Sequence, residues 1–271
     1  MSGAPLVRPI LLVGCGKMGG ALLTGWRERG IAKSYLVVEP MMPASMRATE
    51  VTVYADPKAL PADLAPAAIV FAVKPQALDD VAPHYRRYAR TAPFLSICAG
   101  KTIAYFARQL GPDAAIVRAM PNTPAAIGRG IAVLCANPAA DYAARALCGE
   151  LLAAVGEIAW VEDEGLIDAV TAVSGSGPAY VFLLIECMAV AGVEAGLPAD
   201  LAMQLARATV AGSGELARRA PESAAQLREA VTSPGGTTRA ALDVLMAKDG
   251  LEPLMKKAVA AATRRSRELA D

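Results

Sequence analysis

The sequence predicts an α/β protein: a doubly wound parallel sheet in residues 1–161, then an all-helical domain in residues 162–271. Three observations carry that reading. Through residue 161, short β-branched runs alternate with helical patterns, the order that builds a parallel sheet covered by helices. Several of those runs are apolar at nearly every position, as strands buried on both faces must be. Beyond Val161 no strand pattern recurs, and long Ala/Leu-rich stretches take over.

Strands are expected at Ile10–Val13, Tyr35–Val38, Val51–Tyr54, Ile69–Val73, Phe94–Cys98, Ile116–Arg118, Ile131–Cys135 and Ile158–Val161. Between them, helices are expected at Met18–Arg29, Leu78–Arg90, Thr102–Leu110 and Asp141–Val155. The second half reads as helices at Leu166–Val173, Pro178–Ala195, Ala199–Arg219, Glu222–Val231, Thr238–Ala247 and Leu251–Leu269. Pro178 and Pro198 stand where first-turn prolines belong, and Gly196 and Gly250 stand where helices stop. The join is the short charged stretch Glu162-Asp163-Glu164-Gly165.

Composition excludes several classes of function. Of 271 residues, 54% are hydrophobic and 20% charged, which fits a packed globule and not a disordered chain. Lys and Arg number 27 against 26 Asp and Glu, so neither nucleic acid nor a membrane surface is expected as a partner. Aromatics at 5% leave little for base stacking. The five cysteines are odd in number and lack C-x-x-C spacing, so they read as reduced thiols of a cytoplasmic protein. His84 is the one histidine, which excludes a multi-His zinc site; no metal is expected. No targeting segment is evident before Ile10. The longest apolar stretch, Ala179–Val193, is interrupted by Glu186 and reads as too short to span a bilayer. Val181, Leu183, Leu184, Met188 and Val190 cover most directions of one helix, so the helical half is expected to associate. Gly192 and Gly196, four apart, would allow close helix approach.

Gly14-Cys15-Gly16-Lys17-Met18-Gly19 follows the first strand and opens a helix, the required context of a G-x-G-x-x-G dinucleotide turn. The first Gly serves the tight turn, the second lets the backbone approach a pyrophosphate, and the third permits close helix–strand packing. The helix start supplies amide donors. Glu39 ends the second strand, 20 residues beyond Gly19, where a ribose-binding acid belongs; an ordinary strand-end charge is the alternative. Ligands of open α/β sheets lie beyond the carboxyl ends of strands. That places Ala72, Val73, Lys74 and Pro75 against the cofactor, with a solvated loop lysine as the plainer reading of Lys74. Cys98, Ala99 and Gly100 close the fifth strand in the same way.

Two further segments pair Gly with Ser or Thr before a helix: Ser174-Gly175-Ser176-Gly177-Pro178-Ala179-Tyr180 and Thr232-Ser233-Pro234-Gly235-Gly236-Thr237-Thr238. Such helix starts bind anions, although Ser176 and Thr238 could equally serve as N-caps. Arg118-Ala119-Met120-Pro121-Asn122-Thr123-Pro124 is a loop stiffened by two prolines, either a ligand wall or a rigid crossover.

Taken together and in this order, these motifs resemble those of the pyrroline-5-carboxylate reductases, over essentially the whole span from Ile10 to Leu269. The Thr232–Thr238 loop with Ser174–Tyr180 is the most specific part, and Lys17 stands where many members carry Asn. The resemblance implies a Rossmann domain with a C-terminal helical dimerisation domain. It also implies dimers, often assembled into decamers (a pentamer of dimers), with each active site completed by the partner's helical domain. The implied reaction is hydride transfer from NADPH or NADH to the cyclic imine of 1-pyrroline-5-carboxylate, giving L-proline in the last step of proline biosynthesis. By the family pattern Thr238 bonds the ring nitrogen, Ser233, Gly236 and Thr237 hold the carboxylate, and Ser176 borders the nicotinamide with Pro178. Glu164 matches an acidic position near the substrate, with a solvated first-turn acid as the alternative. Because Glu39 would repel a 2′-phosphate, NADH is expected to serve at least as well as NADPH.

Two rival readings are weaker. A β-hydroxyacid dehydrogenase needs a catalytic lysine on a helix of its second domain, yet Lys248, Lys256 and Lys257 are the only lysines after residue 101 and lie on a late charged stretch. A non-enzymatic nucleotide binder would carry degenerate substrate loops, whereas Ser233 to Thr238 is intact.

Overall fold

The computed structural model describes residues 4–269, among which eight strands form one sheet. They are β1 Ile10–Val13, β2 Tyr35–Val38, β3 Val51–Tyr54, β4 Ala68–Phe71, β5 Phe94–Ser96, β6 Ile116–Met120, β7 Gly130–Ala136 and β8 Gly156–Trp160. Their order is β3-β2-β1-β4-β5-β6-β7-β8, so the winding reverses between β1 and β4. All eight expected strands form, but the fourth and fifth stop early, leaving Val73 and Cys98 in the loops beyond them.

The sequence led us to expect a parallel sheet throughout, but β7 runs antiparallel to β6 and parallel to β8. The cause is the connection after β6. It holds only a 3₁₀ turn, Thr123–Ile127, and a left-handed Gly128. A parallel return needs a crossover of about a dozen residues or more, usually a helix.

Five helices accompany the sheet: α1 Lys17–Glu28, α2 Leu78–Val81, α3 Ile103–Leu110, α4 Tyr142–Ala153 and α5 Ile167–Val170. The expected Leu78–Arg90 helix stays α-helical only to Val81 and continues as a 3₁₀ helix through Tyr88, with Pro83 in its first turn. Successive residues of β1 face opposite sides of the sheet, as period-two geometry requires. Leu12 packs with Leu22, Trp26, Val70 and Leu151, while Leu11 packs with Phe71, Tyr85 and Phe106. Each such buried side chain contributes about 1.5–3 kcal/mol of transfer free energy. The Trp26 indole also donates to the Leu151 carbonyl at 2.7 Å, tying α1 to α4.

The remaining helices are α6 Gly177–Glu194, α7 Ala199–Arg219, α8 Ala224–Ala230, α9 Thr237–Leu245 and α10 Leu251–Glu268. The chain divides into two compact units: residues 4–175 with 262–269, and residues 176–261. The join expected near residue 161 thus falls inside the first unit. Ile167 is fully covered there by Val133 and Cys135 of β7, which draws the segment after β8 onto the sheet. In the second unit α6 packs along α7, where a Cβ on Gly192 would stand 3.2 Å from that of Ala202. Gly192 therefore serves a contact within the chain, and Gly196, with φ +100°, ends α6. Among the described residues of this unit only Ala189, Ala202 and Ala206 are buried.

One helical run, Glu164–Glu194, is long and apolar enough to cross a membrane by length and composition, with a mean hydropathy of 1.6. The sequence placed a break at Ser174–Gly177, between the expected helices. A π-helical turn at Thr171–Gly175 stands there instead, its Thr171 and Ser174 hydroxyls donating to the carbonyls of Ile167 and Val170.

Candidate active site

In the first unit the ends of β1, β2, β4 and β5 converge on one stretch of backbone. Gly14 has φ +91°, and a Cβ there would stand 2.7 Å from Val73 Cγ1 and 2.8 Å from the Ala72 carbonyl carbon. The Gly14 N–H donates to the Val38 carbonyl, and the Ala72 N–H donates to that of Val13. A Cβ on Gly19 would stand 2.5 Å from the Gly14 carbonyl oxygen, so the helix can lie this close to the turn only without a side chain. Around Gly16 there is open space. Helix α1 begins with no side-chain cap and no acid in its first turn. Its leading N–H groups and positive dipole end thus face outward, where a phosphate can take them. Lys17 and Lys74 are exposed, Met18 is half-buried, and Pro75 opens a 3₁₀ turn after Lys74.

Glu39 sits beside this turn. Its Oε2 accepts from the Cys15 N–H at 2.9 Å and its Oε1 from the Met41 N–H at 3.2 Å. The carboxylate is thereby fixed at the end of β2 against the glycine turn. On the far side, the Ile97 N–H donates to the Phe71 carbonyl at 3.0 Å, and Cys98 Sγ lies 3.4 Å from the Phe71 carbonyl oxygen and 3.3 Å from that of Val73. The loop bearing Cys98, Ala99 and Gly100 is thus held against the Ala72–Pro75 loop. Burial pushes both the Cys15 and Cys98 thiols up to about 11, Glu39 adding to the effect at Cys15. Both stay protonated at neutral pH and are unfit as nucleophiles.

Glu164 lies at the start of the segment entering α5. Its Oε1 accepts from Arg118 Nη1 and from the Ile103 N–H, each at 2.8 Å. Arg118, read as the last residue of the sixth strand and the first of the loop after it, lies inside β6, which runs on to Met120, and is only 5% exposed. A guanidinium in an otherwise apolar strand was the available signal, because a buried charge requires a partner.

In the second unit Ser176 stands at the N-cap of α6 without a side-chain cap bond. Gly236 is the N-cap of α9, so Thr237 and Thr238 occupy its first two positions and neither is the cap. The Gly236 N–H donates to the Ser233 carbonyl at 3.1 Å, and Gly235 has φ +69°. This turn brings Ser233, Gly236, Thr237 and Thr238 to one helix start. The arrangement offers an anion the leading amides of α9, with the hydroxyls of Ser233, Thr237 and Thr238 nearby.

A doubly wound sheet with a glycine turn at its winding reversal, followed by a helical region, defines a dinucleotide-dependent oxidoreductase. Residues 9–100 match the family model described as NADP oxidoreductase coenzyme F420-dependent, and residues 164–269 match pyrroline-5-carboxylate reductase dimerisation. The chain belongs to the pyrroline-5-carboxylate reductase family. It is 38% identical to the Pseudomonas aeruginosa enzyme of that name, with 97% of each chain covered. The Coxiella burnetii pyrroline-5-carboxylate reductase superimposes with a TM-score of 0.89 at 32% identity, over 97% of this chain and 98% of that one. The Plasmodium falciparum pyrroline carboxylate reductase, solved with NADP bound, superimposes with a TM-score of 0.83 at 30% identity, over 99% and 100% of the two chains.

Proposed function

We propose that this protein reduces 1-pyrroline-5-carboxylate to L-proline with NADPH or NADH, the last step of proline biosynthesis. The observation that carries the reading is the pairing of a phosphate-ready glycine turn with the dimerisation segment at 164–269 in one family member. The residues present fit a dinucleotide. The uncapped start of α1 suits a pyrophosphate, Glu39 at the end of β2 suits a ribose hydroxyl, and Ala72–Pro75 with Cys98–Gly100 suit the walls of a cofactor site. When bound, the reduced cofactor supplies the hydride that adds to the imine carbon.

The chain's own residues bind and orient. We assign the substrate carboxylate to the α9 start, held by Ser233, Gly236 and Thr237, and assign the bond to the ring nitrogen to the Thr238 hydroxyl. Ser176 borders the ring. The imine nitrogen is basic enough to take its proton from solvent before or during hydride arrival, so a hydroxyl that only hydrogen-bonds it suffices where a carbonyl would require a strong acid. Orientation supplies most of the remaining rate. No side chain is called on to change charge.

The chain dimerises through its helical region, and this accounts for the apolar Glu164–Glu194 run better than a bilayer does, because the dimerisation match covers it. A decamer of five dimers is the larger assembly we propose, supported by Val231, Val244, Leu245 and Met246, which stay exposed outside α6. Five unpaired cysteines support a cytoplasmic setting. The test is oxidation of NADPH, followed by its absorbance, on adding 1-pyrroline-5-carboxylate, with proline identified as product. Cofactor binding without turnover of this imine would overturn the assignment.

A further inference from the structure

The carboxylate of Glu164 joins three segments that are distant in sequence. One partner, Arg118, is buried on β6; the other, the N–H of Ile103, belongs to the first residue of α3. That residue follows directly on the Cys98–Gly100 loop and Lys101-Thr102. The front of this loop is fixed to β4 by the Ile97 N–H and the Cys98 sulfur. Its back is fixed by Glu164. A carboxylate at the first N–H of a helix also meets the positive end of the dipole, so the bond favours one position for the start of α3. Arg118 holds the carboxylate in place from the sheet side. Met120, two residues further along β6 and on the same face, touches Gly175 of the π turn, so β6 braces both ends of the 164–175 segment.

We propose that Glu164, held by Arg118, is a positioning residue for the cofactor: through the first N–H of α3 it sets the Cys98–Gly100 loop against which the dinucleotide lies. The proposal rests on the reading of that loop as a cofactor wall. It gives Glu164 a different role from contact with the substrate. Nothing in the hydride transfer passes through Glu164; its effect falls on how well the binary complex forms.

The experiment compares Glu164→Asp, Glu164→Gln, Arg118→Met and the double variant Glu164→Gln/Arg118→Met. Glu164→Asp keeps the charge beside Arg118 but shortens the reach to Ile103, so it tests the bond without unpairing a buried ion. NADPH affinity is measured without substrate, by fluorescence titration, and KM and kcat are then measured for both reactants. Each single variant is expected to weaken NADPH binding about tenfold. The double variant is expected to be no worse than the weaker single, because both residues act through one bond. KM for the imino acid at saturating NADPH should stay within about twofold of wild type. Unchanged NADPH affinity in Glu164→Asp and Glu164→Gln overturns the proposal, whether or not KM for the imino acid rises; a rise would place Glu164 on the substrate. Should a single variant fail to fold, the charge-free double variant supplies the same measurement. If the wild-type protein binds NADPH but turns over no pyrroline carboxylate, the assigned reaction fails while the binding comparison still stands.

Discussion

The two compact units treat apolar residues in opposite ways. The first covers its own: Trp26, Phe71, Phe94 and Phe106 are fully buried, and all three apolar clusters lie within it. The second leaves Val181, Phe182, Leu183, Leu184, Val190 and Val193 exposed along α6. A monomer rarely shows so continuous an apolar surface. Equal hydrophobicity in sequence thus has two destinations, a core within the chain and an interface with a second copy. The difference teaches that the sheet-bearing unit is stabilised by its own packing, whereas the helical unit is stabilised by association.

The comparison breaks most visibly at α6. Phe182→Glu and Leu184→Arg should abolish the dimer, because an unpaired charge in a desolvated interface costs several kcal/mol. Light scattering at micromolar concentration should then give the monomer mass, and reductase activity should be lost. Persistence of the dimer would place the interface elsewhere. Within the self-sufficient unit, Gly14→Ala should cost about 1–3 kcal/mol from its backbone conformation alone. The collision with Val73 and Ala72 adds to that. Thermal denaturation should show the loss, and NADPH binding should fall with it.

In the helical unit, Thr238→Ala should lower kcat by about 10- to 100-fold, the equivalent of about 1–3 kcal/mol, with NADPH affinity intact. Thr238→Ser should retain most activity. Normal turnover in the Ala variant would leave Thr238 a helix-start residue only. A smaller effect is expected at Glu39, whose carboxylate repels a 2′-phosphate by about 1 kcal/mol. NADH is expected to serve at least as well as NADPH, and Glu39→Ser should shift the ratio of kcat/KM toward NADPH. A wild-type preference for NADPH above about tenfold would remove Glu39 from that role.

The smallest effect concerns buried thiols, all of them in the first unit. Burial pushes Cys148 up to about 12 and Cys15 and Cys98 up to about 11. An unfolded chain ionises these thiols from about pH 8.5 upward, whereas the folded chain keeps them protonated. Folding stability should therefore be fully present below that pH and decline as pH rises toward 11. Cys148→Ala should flatten the decline in denaturation midpoints between pH 8 and pH 11 relative to wild type.

The strands, the glycine turn and the switch to helices were legible because each is a local pattern: β1, for instance, is four apolar residues running into Gly14. The antiparallel course of β7 was not, because direction depends on what the connection lacks. The π turn at Thr171–Gly175 was hidden by Gly and Ser residues that read as a loop. Glu164 was singled out through the family resemblance, and Arg118 puts a charge in an apolar strand, but their pairing was not legible: they stand 46 residues apart, and only folding makes them partners. The roles assigned to Ser233, Gly236, Thr237 and Thr238 came from the family resemblance. The structure adds that Gly236, and not Thr238, caps α9.

The last turn of α10 has a consequence for how the protein is made. Ser266 donates to Asp168 at 2.7 Å, and the Leu269 backbone rests against Gly100. Residues 262–269 thus belong to the first unit although the whole of 176–261 precedes them in the chain. The helical unit is an insertion, tethered at both ends. On the ribosome, the nucleotide-binding half emerges early yet stays unfinished until the associating half has also been synthesised. The Gly100 loop acquires its final neighbour only then. An open interval of that kind couples completion of the Gly100 loop to the presence of the surface that recruits the second subunit.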